Sequence, residues 1–455
     1  MKRTCFLLVV IIVTSSWSVA QSHVTDSLDA YAGRYFASNE PGAAILVIKN
    51  GKILLRKGYG IGKLPSTAIT PDNVFRIGSI TKQFTSTAIL KLASEGKILL
   101  EESITTYLPE YNVQGNTVTV EQLLNHTSGI KSYTSIPEVM SKEGKAKAVT
   151  VADFTKVFSE KPFDFTPGTY MLYNNSGYFL LGAIIEKVSG MKYADYLAKN
   201  FFKPLGMKAT YTDESNIQKL VTGFVEASKD SFVVADYVHP SLPFSAGMIY
   251  STVDDLAKWN AGIFSGKVIS QSLLDRAWTP TQTADGIVHS YGYGWSLGRL
   301  NDKKTIGHSG GIDGFVSFEM YVPDEKLYVC ILSNNMSAST GEVAYQLAER
   351  ALGQSASKPA AVALDPSRLE EYVGVYDINA AESRVIRKEG DKLSSQRTGG
   401  TKFWIYPYDK DLFAFTDSDS KIRFTRNSKN EIVGMELIGR DWVPGKATKT
   451  NKPLP

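Results

Sequence analysis

Apolar and polar positions alternate differently in different parts of the chain. Near the N-terminus two β-rich runs, Ala44–Ile48 and Ile53–Leu55, flank Asn50-Gly51, the strongest short turn signal, and predict a hairpin within Pro41–Gly58. A helical stretch precedes it, from about Val24 to Phe36. Ser79–Glu95 reads as a long helix that Gly96 ends. A mostly helical, loop-rich middle runs to about Ser265. The β character then returns in Ser290–Leu297, Phe315–Val322 and Leu327–Ser333, and a last helix fits Thr340–Leu352. Strands at both ends of a helical middle predict an α+β domain, its antiparallel sheet joining N- and C-terminal segments.

The pattern changes after Leu352. Gly353–Ala363 is rich in Ala, Ser and Pro and reads as a linker. Beyond it, short β-type runs alternate with turn clusters. The runs are Tyr372–Tyr376, Phe403–Tyr408, Leu412–Phe415 and Ile422–Thr425. The turns are Glu389-Gly390-Asp391, Gly399-Gly400 and Asp417–Ser420. Residues 364–455 therefore read as a small all-β domain, barrel-like or a sandwich. Trp404–Tyr408 carries three aromatics, a stripe that core packing explains more often than a binding surface does.

The first twenty residues stand apart. Lys2 and Arg3 precede the short apolar run Leu7–Val13, and Ser18-Val19-Ala20 is a small-residue cleavage site. This predicts a secretory signal peptide over 1–20, cut after Ala20, and a periplasmic or secreted protein. The apolar run is too short to span a bilayer, no later stretch is long enough, and stable membrane insertion is not expected. Losing residues 1–20 takes the formal charge from +4 to +2, which gives no basis for expecting nucleic-acid binding. It also leaves Cys330 as the remaining cysteine, inside the apolar run Leu327–Leu332, where it reads as a core residue and not as a catalytic thiol. There is no His-Glu-x-x-His and no Cys/His cluster at ligand spacing, so neither a metal nor another cofactor is expected.

Candidate chemistry begins with Ser-x-x-Lys, which occurs six times, starting at Ser79, Ser94, Ser128, Ser189, Ser355 and Ser418. Only Ser79-Ile80-Thr81-Lys82 opens a long helix. Residues three apart share a helical face, so Lys82 can reach the Ser79 hydroxyl. A lysine desolvated there can take the serine proton. The competing reading is an N-capping serine with a solvated lysine. Tyr173-Asn174-Asn175 is a second element: of 23 tyrosines, only Tyr173 has Asn two residues on. A loop tyrosine near a lysine is expected to have a depressed pKa and to shuttle protons, with Asn175 donating to a substrate carbonyl. A packing tyrosine is the alternative.

The third element is Gly307-His308-Ser309-Gly310-Gly311. It also fits the Gly-x-Ser-x-Gly elbow of α/β-hydrolases, but those need a histidine after the serine. The five histidines are His23, His126, His239, His289 and His308, and none follows Ser309. The glycines read instead as a strand that a substrate backbone approaches closely.

Taken in order, these three elements resemble the signature of the penicillin-binding protein and class C β-lactamase superfamily of serine hydrolases. Phe75–Lys82, Leu123–Gly129, Tyr173–Tyr178, and Ser245-Ala246-Gly247 followed by Ser251-Thr252 extend the likeness over about Asp26–Leu352. The resemblance implies a β-lactamase/transpeptidase-like catalytic domain over 21–352, with Ser79 acylated and Lys82 and Tyr173 sharing base and acid duty. Asn175 would hold the substrate amide. The backbone N–H groups of Ser79 and Gly311 would form an oxyanion hole, with Gly310 beside them and His308 on the opposite wall. Class C β-lactamases usually carry Lys where this chain has His308, whereas peptidases and esterases of the superfamily commonly carry His. The expected substrate is thus a D-amino-acid peptide or amide, or a carboxylic ester, in preference to a β-lactam, with cell-wall-derived molecules among the candidates. A penicillin-binding or sensing protein with little turnover is the alternative. His126 lies in one of the shared blocks, with packing as its expected role.

Overall fold

The computed structural model describes residues 24–63, 67–215, 217–228, 231–353, 362, 364–378, 383–398, 402–416, 420–441 and 443–455. Residues 1–20, expected to be a signal peptide, and nearly all of 353–363, expected to be a linker, lie outside the described residues. The chain divides into two units, one comprising Met1–Leu297 with Thr305–Ser355, the other Gly298–Lys304 with Ala356–Pro455.

In the first unit, helix α1 (residues 24–35) precedes the Asn50-Gly51 hairpin. Both turn residues take positive φ, 50° and 74°, which Asn and Gly adopt at least cost. The turn joins β1 (Ala43–Lys49) to β2 (Lys52–Tyr59). Four later strands complete the sheet: β3 (Ser296–Leu300), β4 (Lys303–Ile312), β5 (Phe315–Val322) and β6 (Leu327–Ser333). The order is β3-β4-β5-β6-β1-β2, so the N-terminal hairpin closes onto the C-terminal strands as expected.

All seven residues of β6 are buried, because both faces of the sheet are covered. On one face Phe318 meets Tyr345 of α5 (Thr340–Ala351), ring centroids 6.0 Å apart. On the other, Tyr321 packs on Phe264 of α4 (Val253–Phe264) at 4.2 Å, and Glu319 meets Gln83 of α2 (Thr81–Ser94). Cys330 is buried mid-strand on β6, in register with Leu46 and Glu319.

Helix α2 is the hub of this unit. Its residues from Thr81 to Leu90 are all buried, so it lacks a polar face and needs partners for its hydroxyls. Thr85 Oγ1 donates to Ser245 O at 2.6 Å, Ser86 Oγ to Tyr293 O at 2.6 Å, and Thr87 Oγ1 to Gln83 O at 2.7 Å. Phe84 stacks on Trp259 at 3.9 Å. One expectation is corrected here. Ser290–Leu297 is not a strand: β3 begins at Ser296, and within the preceding turn Gly294 has φ 82°. A β-carbon on Gly294 would lie 2.7 Å from Lys82 O, so close docking against α2 overrides the local alternation.

The second unit is a closed eight-stranded barrel: β7 (Gly374–Asp377), β8 (Ser383–Glu389), β9 (Lys392–Arg397), β10 (Lys402–Asp409), β11 (Leu412–Phe415), β12 (Lys421–Arg426), β13 (Ile432–Ile438) and β14 (Gly445–Thr450). Its interior is filled by side chains that include Tyr372, Tyr376, Phe413 and Phe424, as expected for so small a barrel. The run Tyr372–Tyr376 is corrected: Pro366–Tyr372 is a 3-10 helix that plugs the barrel with Leu369 and Tyr372, and the strand starts at Gly374. The Trp404–Tyr408 stripe is also reassigned. Ile405 points into the core, while Trp404, Tyr406 and Tyr408 are half-buried on alternate positions. Among the described residues no helix is long and apolar enough to cross a membrane.

Glu319 is an acid buried in the layer between sheet and α2, only 3% exposed. Its carboxyl accepts a hydrogen bond from Gln83 Nε2, and Gln83 Oε1 accepts from Trp259 Nε1 at 2.9 Å. Burial raises its pKa to about 7 from the ordinary 4.5. The folded chain therefore keeps a proton that the unfolded chain releases, and stability falls as pH rises from the unfolded value through the folded one. Glu319→Gln keeps an acceptor for Gln83 and removes the ionisation. It is expected to match wild type near pH 4 and to exceed it by on the order of 2–3 kcal/mol above pH 7, in denaturant melts at the two pH values. A difference independent of pH would show that the carboxyl does not titrate in the fold.

Candidate active site

The chain turns sharply just before Ser79. Gly78 has φ 50°, and a β-carbon there would lie 2.8 Å from Gly311 N. Only glycine combines that φ with so close a neighbour. The turn leads into a 3-10 segment, Gly78–Ile80, and then α2. Ser79 thus sits at the mouth of the helix, half-buried, with Lys82 one turn on and wholly buried.

Lys82 Nζ lies 3.1 Å from Ser79 Oγ, 2.7 Å from Asn175 Oδ1 and 2.9 Å from Ala246 O. It also lies 4.8 Å from the centre of the Tyr173 ring. No carboxylate is among these partners, and burial pushes its pKa well below the ordinary lysine value. A neutral amine has two N–H groups and one lone pair. Asn175 Oδ1 and Ala246 O accept the two N–H groups, so the lone pair is left facing the serine hydroxyl. That is the geometry of a resting base.

Asn175 is delivered by α3 (Asn175–Ser189), which Asn174 caps by accepting from Gly177 N–H at 2.8 Å. With its Oδ1 occupied by Lys82, the Asn175 amide N–H₂ is the end available to a substrate. Tyr173, just outside the cap, shares a hydrogen bond with Ser79. One edge of it is open to solvent, at 39% exposure, while the packed surroundings raise its pKa. This reverses the expected direction: burial disfavours the charged form of Lys82 and weakens its pull toward a phenolate, and burial of Tyr173 itself favours the protonated hydroxyl.

The glycine block lies in the middle of β4, so Ser309 has no helix after it and the elbow geometry is absent. Gly310 packs inward: a β-carbon there would fall 2.1 Å from Ile77 O and 2.3 Å from Ser317 Oγ. It lets β4 abut the turn before Ser79, and it is not on the open wall. His308 is buried and lies behind Tyr173, with ring centroids 6.1 Å apart. Its Nδ1 faces Ser309 O, and its Nε2 is 3.0 Å from Tyr291 Oη. Burial holds its pKa down at about 3, so it is uncharged. Gly311 lines the open pocket with Ser79 and Asn175.

That pocket has a volume of about 250 Å³. Tyr133, Met140, Leu242, Ile312 and Met336 make its walls apolar, and Lys145 and Asp313, which pair with each other, lie at its edge. The motifs did not reveal these wall residues, which come from five separate segments. A wider groove, lined by Glu214 and His239 among others, does not contain Ser79. Among the described residues no group of three His, Cys, Asp or Glu is placed to hold a metal ion.

Comparison with known proteins follows this geometry. Residues 28–352 match the family model described as Beta-lactamase, and residues 358–444 match one described as a domain of unknown function, DUF3471. The chain is 33% identical over 310 residues to Protein flp of Staphylococcus aureus, covering 65% of this chain and 59% of that protein. This chain therefore spans less than two thirds of that relative's length. It is 25% identical over 406 residues to Penicillin-binding protein 4* of Bacillus subtilis, covering 84% and 89%. Its fold superposes on a D-stereospecific amidohydrolase from Streptomyces sp. with a TM-score of 0.61 and 25% identity, over 74% of this chain and 99% of that one.

Two outcomes are expected. The rising limb of kcat/KM against pH should lie well below 10.5, because the lowered Lys82 pKa makes the base form available there; a limb at or above that value would mean a charged lysine at rest. Gly310→Ala should drive β4 from the Ser79 turn and lower the acylation rate by about 100-fold without unfolding the chain, read by stopped-flow acylation beside circular dichroism.

Proposed function

This chain belongs to the Beta-lactamase family, whose fold serves serine hydrolases, and we propose that it hydrolyses an amide or ester through an acyl-enzyme on Ser79. The observation that carries this reading is the fully buried Lys82, whose Nζ lies 3.1 Å from Ser79 Oγ with no carboxylate among its partners and whose pKa burial pushes down. Lys82 takes the serine proton as Oγ attacks the substrate carbonyl carbon. The oxyanion formed there is held by the backbone N–H groups of Ser79 and Gly311. Asn175 orients the substrate amide. Tyr173 gives its proton to the departing nitrogen or oxygen and recovers one from Lys82. Water then attacks the ester on Ser79, with the proton path reversed.

The substrate we propose is a D-amino-acid peptide or amide, or a carboxylic ester, before a β-lactam. A β-lactam acid presents a carboxylate, and the residue facing it in the resemblance, His308, is buried and uncharged here. The cation at the edge of the pocket, Lys145, is already paired with Asp313 and stands 3.8 Å from Asp236. The apolar walls suit a medium-sized uncharged acyl group. The likeness to a D-stereospecific amidohydrolase supports this reading. We also propose that residues 1–20 direct export to the periplasm or medium, that 21–352 form the catalytic domain, 353–363 the linker and 364–455 an accessory β domain.

The test is intact mass after exposure to a fluorophosphonate and, separately, to a penicillin, for wild type and Ser79→Ala. A fluorophosphonate adduct on wild type alone is expected, with any penicillin adduct formed slowly. An undiminished adduct on Ser79→Ala would sink Ser79 as nucleophile. A persistent penicillin adduct with no ester or amide turnover would favour a penicillin-binding or sensing role, the reading that the Bacillus relative's name supports.

A further inference from the structure

His126 takes no part in the chemistry described above, yet it touches the residues on both sides of Tyr173. Its carbonyl oxygen accepts from Leu172 N–H at 3.0 Å, and its Nδ1 accepts from Asn174 N–H at 3.1 Å. Tyr173 is therefore bracketed by two hydrogen bonds to one residue. The imidazole also lies against the Tyr173 ring, with centroids 4.4 Å apart. On its other sides the rings of Tyr178 and Tyr291 stand 5.1 and 4.8 Å away.

The backbone at His126 does not favour histidine. Its φ is 65°, just past the helix Val120–Leu124, a position where Gly or Asn costs least. A backbone outlier of this kind directs attention to what its side chain does. The ring has one nitrogen occupied. Because Nδ1 accepts from Asn174, the proton of the neutral ring sits on Nε2. That Nε2 is buried and has no hydrogen-bond partner among the described residues, so no receiver for a proton stands beside it. Tyr173 itself is in a half-exposed loop and needs an external hold to keep its hydroxyl on Ser79.

We propose that His126 is a positioning residue for Tyr173, acting as a fixed hydrogen-bond acceptor and ring clamp and not as a proton carrier. Burial, with Lys82 and His308 adjacent, keeps its pKa well below the ordinary histidine value and so keeps it in this one form. The inference rests on the reading of Tyr173 as the proton donor to the leaving group.

The test uses leaving groups of different basicity. p-Nitrophenyl butyrate departs without a proton, whereas ethyl butyrate needs one from Tyr173. His126→Phe keeps a ring and loses the acceptor. It should lower kcat/KM on ethyl butyrate by about 30-fold or more, with kcat/KM on p-nitrophenyl butyrate, which reports acylation alone and needs no proton for departure, within about 3-fold of wild type. His126→Asn, at home in this backbone region and able to place Oδ1 where Nδ1 stood, should restore ethyl butyrate turnover to within about 5-fold. In a Tyr173→Phe background, His126→Phe should cost nothing further. Equal losses on both esters, an additive loss in the double variant, or a His126→Asn enzyme as slow as His126→Phe would overturn the proposal. The last result would mark His126 as a proton carrier. Wild type that forms no fluorophosphonate adduct on Ser79 would overturn the acyl-enzyme reading and this inference together, whereas an active wild type with an unaffected His126→Phe overturns this inference alone.

Discussion

An amine buried without a counter-ion is the constraint around which the first unit is built. Lys82 is fully enclosed, and no carboxylate offsets the cost of removing an ammonium from water, so the fold stabilises the neutral form. That solution works only if both N–H groups are satisfied. Ala246 O comes from the Ser245-Ala246-Gly247 segment, which Thr85 pins onto α2 through Ser245 O. Asn175 Oδ1 comes from the first turn of α3. Two remote stretches of chain thus converge on one nitrogen of α2.

The layer beneath follows the same logic with a different group. Glu319 is buried on the sheet side of α2 and is met by an amide, Gln83, where a cation would have been expected. Gln83 is the residue next to Lys82, so the nucleophile helix is held on one side by an uncharged base and on the next by a carboxyl that prefers its proton. Keeping net charge out of this layer lets α2 be buried on all sides without the large penalty of an isolated interior ion.

Much of this was legible in the chain. Asn50-Gly51, Gly96 and the run Leu327–Ser333 act through local geometry or simple burial, and the elements they predict form. Ser79, Lys82, Tyr173 and Asn175 are brought together because each lies on or beside a helix start whose position the sequence shows. What it hid depends on tertiary docking. The 290–295 segment alternates like a strand but is shaped by Gly294 lying against Lys82. A lysine near Tyr173 favours a depressed tyrosine pKa only while that lysine is charged, and burial of Lys82 and of Tyr173 itself outweighs the effect. His308 and Gly310 are marked by the glycine pattern but turn inward, one behind Tyr173 and one against Ile77. The pocket wall carries no motif, since Met140, Leu242 and Met336 are ordinary apolar residues until the fold assembles them.

Cys330 offers a last consequence. Its sulfur lies in the central strand of a sheet covered on both faces, and beyond residue 20 the chain has no other thiol. An aqueous alkylating reagent can reach it only when β6 separates from its neighbours, an event close to global unfolding of that unit. The chain thus carries its own stopwatch. In a chain cut after Ala20, the rate at which one alkyl group is taken up reports how often the sheet opens, with no engineered label and no denaturant.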